Sequence, residues 1–254
     1  MRVYVAFDDT DTLDADRGTG KLVRWFEKCL PEGSTMRGVV RQQLLVDDAI
    51  PYTSHNSSAC AIIDISDPCR RDDLISRAVD HIEKESLAGS DPGLCVVCHD
   101  DPALKELTAF GRLCATSVVT QKDALRAARG VHLSGHGGTQ DGIIGAAAGV
   151  GLTASGWGGR FIEYGRIREF PNPVSVKALE EKGIHVLSLD RDSLVPGPED
   201  MVVTNGWLRP RHMGFKPVVP VLPRGKNLWE SMGKKNRSHK GKEGHNNGRE
   251  NILP

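Results

Sequence analysis

The sequence predicts an α+β fold, with a split βαβ layer at the front and a smaller β-rich unit behind it. Three observations carry that expectation. Apolar patterning over the first hundred residues runs in the order β-α-β-β-α-β. A mostly helical stretch then covers roughly 101–118 and 121–129. From about 160 to 222, strand-like runs return around a single helix-like run.

In chain order, Val3, Val5 and Phe7 alternate with Arg2, Tyr4 and Ala6, the period of a strand. Gly18 to Gly20 open a helix in which Leu22, Val23, Phe26, Cys29 and Leu30 recur at helical spacing, before Pro31 and Gly33 close it. Two β-rich runs follow, Val39–Val46 and Ala59–Ile65. Asp67-Pro68 starts a second helix with Leu74, Ala78, Val79 and Ile82 inward, and Leu94–Cys98 reads as a short buried strand. Thr120 and Asp123 approximate a capping box, and Gly130 is placed to end that helix. Ser134 to Gly142 is glycine-rich and precedes the apolar run Ile143–Leu152, while Gly156 to Gly159 read as a linker. Beyond it come a helix near Ser175–Lys182 and strands near Ile184–Leu189, Met201–Thr204 and Pro217–Leu222. The expected division is therefore 1–158, 159–223 and a tail over 224–254.

Composition narrows the classes. The 254 residues are 39% hydrophobic and 26% charged, enough to bury a core. Thirty-three basic residues cancel thirty-three acidic ones, so no global field marks a nucleic-acid binder. No apolar run approaches the roughly 18–20 residues that cross a bilayer, and the opening apolar stretch is short for a signal peptide. The expectation is a cytoplasmic protein, without membrane partners, whose six cysteines stay reduced. From Arg224 onward eight Lys/Arg stand against three Glu, a net of +5 that leaves −5 on residues 1–223. A solvated disordered tail and a contact with RNA or another polyanion both fit that composition.

Asp8, Asp9 and Asp11 crowd the end of the first strand, with Thr10 among them. Three like charges in four residues repel, and a hard cation such as Mg²⁺ relieves that while keeping waters for phosphates. A solvated acidic turn that caps the next helix is the plainer alternative. Gly18-Thr19-Gly20-Lys21 departs from the Walker pattern, with Ala15 and Leu22 where a glycine and a hydroxyl belong. It retains a permissive turn with a lysine beside exposed N–H groups, and an ordinary loop before a helix explains it as well. Gly138, Thr139 and Gly142, leading into Ile143-Ile144-Gly145, admit the same two readings: ligand approach or close helix packing. Cys95-Val96-Val97-Cys98-His99 spells a haem-attachment string. On a strand, however, its two thiols face opposite sides and cannot clasp one group.

Val5-Ala6-Phe7-Asp8-Asp9-Thr10-Asp11-Thr12, Ala49-Ile50-Pro51-Tyr52, Asp91-Pro92-Gly93 and Gly142 through Gly151 together resemble, in residues and spacing, the archaeal isoleucine tRNA agmatinylcytidine synthetases. The resemblance covers roughly residues 1–155, and more weakly 160–222. It implies a kinase-like first domain that uses ATP and Mg²⁺, followed by a smaller ferredoxin-like domain, in a short form without the family's OB-fold and zinc ribbon. It gives Asp8, Asp9 and Asp11 the metal, while Lys21, an ammonium at a helix start, is the candidate catalytic charge for a transferring phosphoryl group. Thr10, Gly18, Thr19, Gly20, Gly138, Thr139 and Gly142 become candidate phosphate contacts.

Two departures stand inside the matched region. His55-Asn56-Ser57-Ser58-Ala59 replaces the family's Arg-Gly-Asn-Gly-Ala and loses a guanidinium, leaving His55, Asn56 and Ser57 as the candidate contacts there. The family's threonine pair falls on Lys21 and Leu22. The resulting expectation is an ATP-dependent phosphotransferase or ligase-like enzyme acting on an RNA nucleotide or a smaller acceptor. A non-catalytic nucleotide- or RNA-binding relative, or a subunit of a tRNA-modifying complex whose partner protein holds the RNA, is the alternative.

Overall fold

The computed structural model describes residues 1–50, 56–204 and 206–232. The first six elements are β1 (Arg2–Asp8), α1 (Thr19–Trp25), β2 (Ser34–Gln43), β3 (Ser57–Ile65), α2 (Arg71–Glu85) and β4 (Gly93–Cys98). Their strands lie in the order β4-β1-β3-β2, each antiparallel to its neighbour. This is the expected split βαβ layer, in which each helix carries the chain over one intervening strand.

β1 explains how both faces become core. Val3, Val5 and Phe7 pack with Leu22, Val23 and Phe26 and with Leu74, Ala78 and Ile82 of α2. Tyr4 and Ala6 point the other way. There the chain lays α3 (Leu104–Cys114), α4 (Gln121–Ala127) and, after the edge strand β5 (His132–Gly135), α5 (Gly142–Ala154). A strand buried on both faces needs no polar alternation, which is why β4 is apolar throughout. Cys95 and Cys98 fall in the two opposite cores, so the haem string is packing.

The Thr120–Asp123 capping box forms, and Gly130 ends that segment with φ +88°. α5 is rich in glycine and alanine because it lies very close to its neighbours. A side chain at Gly151 would strike the Leu107 carbonyl, and one at Gly142 the Asp91 carbonyl.

The rest of the chain supplies β6 (Trp157–Glu163), β7 (Val174–Ser175), α6 (Val176–Glu181), β8 (His185–Ser188), β9 (Met201–Val203), β10 (Arg211–Met213), β11 (Lys216–Gly225) and β12 (Leu228–Ser231). β6 pairs with β2 on one edge and with β10 on the other, so one twelve-stranded, mostly antiparallel sheet runs through both units. The second unit keeps its own core, built around Ile167, Leu179, Ile184, Val202, Val221 and Trp229.

Two sequence expectations are corrected here. Gly156 to Gly159 do not form a linker: β6 begins at Trp157, and Gly159 takes φ +74° where a side chain would strike the Arg41 carbonyl of β2. Nor does a tail start at 224. β12 pairs with β11 and β9, buries Trp229, and ties its indole Nε1 to Asp200 Oδ2 at 2.9 Å. The basic composition masked a strand because four residues leave little period to read, and tertiary pairing decided it. Residues 233–254 of the expected tail lie outside the described residues. Among the described residues, no helix is long and apolar enough to cross a membrane.

Candidate active site

β1 delivers Asp8 to the end of the strand opposite Gly93 of β4. Asp9 then turns the chain with φ 50°, in the left-handed region that Asp tolerates better than most residues. Thr10 is buried, with its hydroxyl 3.1 Å from that of Thr19. The Thr19 hydroxyl also donates to Asp11 Oδ1 at 3.4 Å. The acidic turn is thereby tied to the first residue of α1, and Gly18 lies close enough that a Cβ there would touch Asp11 Oδ2.

On the opposite side, α5 presses Gly145 against the Asp8 carboxyl so closely that a side chain would overlap it. Burial and the neighbouring Asp9 and Asp11 raise the Asp8 carboxyl to about 8. Asp9 rises to about 6, first from burial and then from the fields of Asp91, Asp11 and Asp141. Sequence reasoning missed Asp91 and Asp141, which reach this turn only through the β1–β4 pairing and the start of α5.

The glycine-rich segment before α5 is fastened rather than open. Asp91 accepts from the Thr139 backbone N–H at 3.0 Å and from its hydroxyl. Gly138 takes φ +51° where a side chain would run into that carboxylate, and the Gly142 N–H donates to the Asp91 carbonyl at 3.1 Å. Gly138, Thr139 and Gly142 thus hold α5 onto the Asp91-Pro92-Gly93 turn. Beside them, Ser134 links His132 (3.0 Å) and His136 (2.8 Å) along β5, and His136 continues to Glu83 at 3.0 Å.

The remaining candidates divide. Asn56 closes its loop by donating to the Leu45 carbonyl at 2.6 Å, and Ser57 accepts from Arg41 Nε at 2.9 Å. His55 lies outside the described residues. Lys21 holds its ammonium 5.2 Å from the Trp25 ring centroid.

Gly18, Thr19, Gly20, Lys21 and Asp11 share a second surface, a cleft of about 1130 Å³ between the two units. The first unit contributes Lys21, Arg24 and Arg41 to it, and the second contributes Arg160, Arg168, Arg209 and Arg211. Arg168 and Arg209 lie over the Trp207 ring at 4.2 and 4.4 Å. Burial and neighbouring arginines lower the pKa of Arg41, Arg168 and Arg209 alike. The one sequence signal for this wall was the alternation of Arg209 and Arg211 beside Trp207, and a net charge of zero concealed it.

Among the described residues, no three His, Cys, Asp or Glu side chains are grouped as a ready-made metal cage. The shared ligation expected of Asp8, Asp9 and Asp11 is not preformed. Their chemistry still suits Mg²⁺, which takes one or two carboxylates and fills its octahedron with water and phosphate oxygens. The Asp8 and Asp9 carboxyls are raised first by burial and then by the other carboxylates around them, so a cation placed there would favour their ionised forms.

An α+β layer with an acidic turn at the end of its first strand gives the class: over 59% of its length the chain resembles the N-terminal part of a tRNA-modifying synthetase. One protein it is similar to is TiaS, an isoleucine tRNA agmatidine synthetase. The solved complex of TiaS with that tRNA and ATP is 25% identical with a TM-score of 0.51, over 59% of this chain and 36% of that one. A tRNA fluorescent labeling enzyme matches with the same identity, TM-score and coverage. The chain therefore spans about a third of the length of the solved structures it matches. No family model matches the chain, and no curated protein matches it.

Proposed function

We propose that this protein is an ATP- and Mg²⁺-dependent phosphotransferase or ligase-like enzyme of RNA modification. The supporting observation is the shared wall: Asp11, Gly18, Thr19, Gly20 and Lys21 belong both to the acidic turn region and to the basic cleft. A metal-bound nucleotide on one side and an acceptor on the other would meet there. The likeness to TiaS, solved with tRNA and ATP, points the same way.

In this reading Asp8, Asp9 and Asp11 are the carboxylates of which one or two would hold the Mg²⁺, which when bound would neutralise charge on the phosphate oxygens of the nucleotide. Thr19 fixes Asp11 and Thr10, so the turn keeps its shape as the nucleotide enters. Gly145 lets α5 pack directly against the Asp8 carboxyl. Lys21 supplies a fixed positive charge on the acceptor side, where a transferring phosphoryl group gains most from it. Phosphoryl transfer asks little more than such positioning and charge.

The test is ADP or AMP release from ATP with Mg²⁺, screened against total tRNA, nucleosides and small amines. Acceptor-stimulated turnover that Asp11→Asn abolishes, in a variant that melts normally, supports the proposal. Nucleotide binding without turnover on every acceptor moves the protein to the non-catalytic alternative.

A further inference from the structure

We infer that Ser134, His136 and Glu83 form an activated-serine site that cleaves small carboxylic esters by acyl transfer. The site lies apart from the acidic turn and outside the basic cleft, and the inference does not depend on the proposed phosphotransferase. The observation behind it is a hydrogen-bonded row along β5, the end strand of the sheet. His136 Nδ1 lies 3.0 Å from Glu83 Oε1, and His136 Nε2 lies 2.8 Å from Ser134 Oγ. His132 Nε2 reaches the same hydroxyl at 3.0 Å.

Strand register explains the row. Residues two apart share one face, so His132, Ser134 and His136 stand in line. Ser134 and His132 pair with Leu94 and Val96, which belong to the core packed under α2, and α2 brings Glu83 to that face. Leu133 points the other way, into the core beneath α5. Asp8 also meets α5, so the row and the acidic turn occupy opposite faces of the sheet. The His136 N–H donates to the Pro92 carbonyl at 2.8 Å and fixes the end of the row. Ser134 itself is half-buried, which leaves its hydroxyl within reach of a small molecule.

The direction of each hydrogen bond follows from what the groups can give. A carboxylate only accepts, so His136 carries its proton on Nδ1, and in the neutral ring Nε2 accepts from the Ser134 hydroxyl. That hydroxyl has one proton, so the His132 Nε2–H must donate to Oγ. Burial, and then His136 and Arg71, lower the His132 pKa and keep its ring neutral. Base, nucleophile and orienting carboxylate thus stand in the order that serine catalysis requires, with the His136 side chain only 7% exposed.

The chemistry balances. Ser134 Oγ attacks the ester carbonyl carbon while its proton passes to His136 Nε2. The carbonyl electron pair moves onto oxygen, where the His132 N–H meets it. Arg71, whose field reaches His132 and whose Nε is buried without a partner among the described residues, favours negative charge there. Collapse breaks the bond to the leaving oxygen, which takes the proton from His136 and departs as an alcohol. Water then repeats the sequence on the acyl-serine, releasing the acid and returning the proton to Oγ. A sheet edge gives a substrate little binding area, so an ester with a good leaving group suits it better than an amide.

The experiment treats the full chain, without ATP or Mg²⁺, with a fluorophosphonate probe and separately with p-nitrophenyl acetate. The expected result is a single label, mapped by peptide mass spectrometry to Ser134, and a stoichiometric burst of p-nitrophenolate followed by steady turnover. Ser134→Ala should abolish both, and His136→Gln should lower kcat/KM by about 100-fold, with unchanged melting curves. Glu83 is a positioning residue: Glu83→Gln should lower kcat and the labelling rate several-fold with KM unchanged, and Glu83→Asp should recover part of the loss.

No label on the folded parent, label or acetyl only on lysines or another serine, or esterolysis that survives Ser134→Ala overturns the inference. Labelling of Ser134 without release of p-nitrophenolate overturns it as well, and so does a Glu83→Gln variant that behaves like the parent. Esterolysis at Ser134 in a protein that never turns over ATP would leave this inference standing and refute the proposed function.

Discussion

Gly145→Ala probes the contact that defines the acidic site. In an ordinary helix this change stabilises by about 0.8–1.0 kcal/mol, because alanine loses less backbone entropy than glycine. Here the new methyl overlaps the Asp8 carboxyl, so either α5 or the carboxyl must move. Overpacking of that kind costs about 1–3 kcal/mol, leaving a net destabilisation of roughly 0–2 kcal/mol. In an Asp8→Ala background the carboxyl is gone, and the same substitution should become neutral or stabilising. The coupling energy across the cycle is therefore expected at about 1–3 kcal/mol. Urea unfolding of the four proteins at one pH measures it. Stabilisation by Gly145→Ala in the parent, with no coupling to Asp8, would refute the placement of that carboxyl against the helix.

Three further outcomes follow from particular groups. Asp8 has a folded pKa near 8 against 3.8 unfolded, so its contribution is full below about pH 4 and is lost as pH rises toward 8. Asp8→Asn should remove up to about 1.4 kcal/mol per pH unit of that decline, read from urea midpoints across the window. His212 runs the other way. It is buried between Phe161 and Phe215, its Nδ1 has no partner among the described residues, and its pKa falls to about 4. Stability should therefore drop as pH falls from 6.5 to 4, by roughly 3 kcal/mol in all, and His212→Phe should flatten that limb. Finally, truncation after Pro223 removes β12 and buried Trp229, and calorimetry should show the loss. Trp229→Ala alone should cost about 3–5 kcal/mol, and an unchanged melting temperature in both would contradict the pairing described here.

The legibility of the fold varied with the range of the interactions behind each element. α2 and the Thr120 cap were readable because their signals lie within one or two turns of helix. β2 begins at Ser34 rather than near Val39, because the polar residues Ser34 and Thr35 enter the sheet by pairing with Ile65 and Asp64 at the end of β3. β12 and the opening of β6 escape a sequence reading for the same reason, since both become strand only against a partner edge, β11 for the one and β10 for the other. Within the site, Asp8, Asp9, Thr10 and Asp11 were legible as a local crowding of charge. Gly138, Thr139 and Gly142 were legible as a special segment, but their visible task is to bind Asp91.

By itself the sequence determined the front layer and its acidic turn, because alternation along β1 and repulsion among neighbouring carboxylates act over a few residues. Tertiary structure alone decided that Asp91 and Asp141 act on Asp9, and that Lys21, Arg24 and Arg41 face Arg160, Arg168, Arg209 and Arg211. Charges that far apart in the chain cancel in any sum over composition. They form a field only when β6 pairs with β2 and closes the second unit against the first.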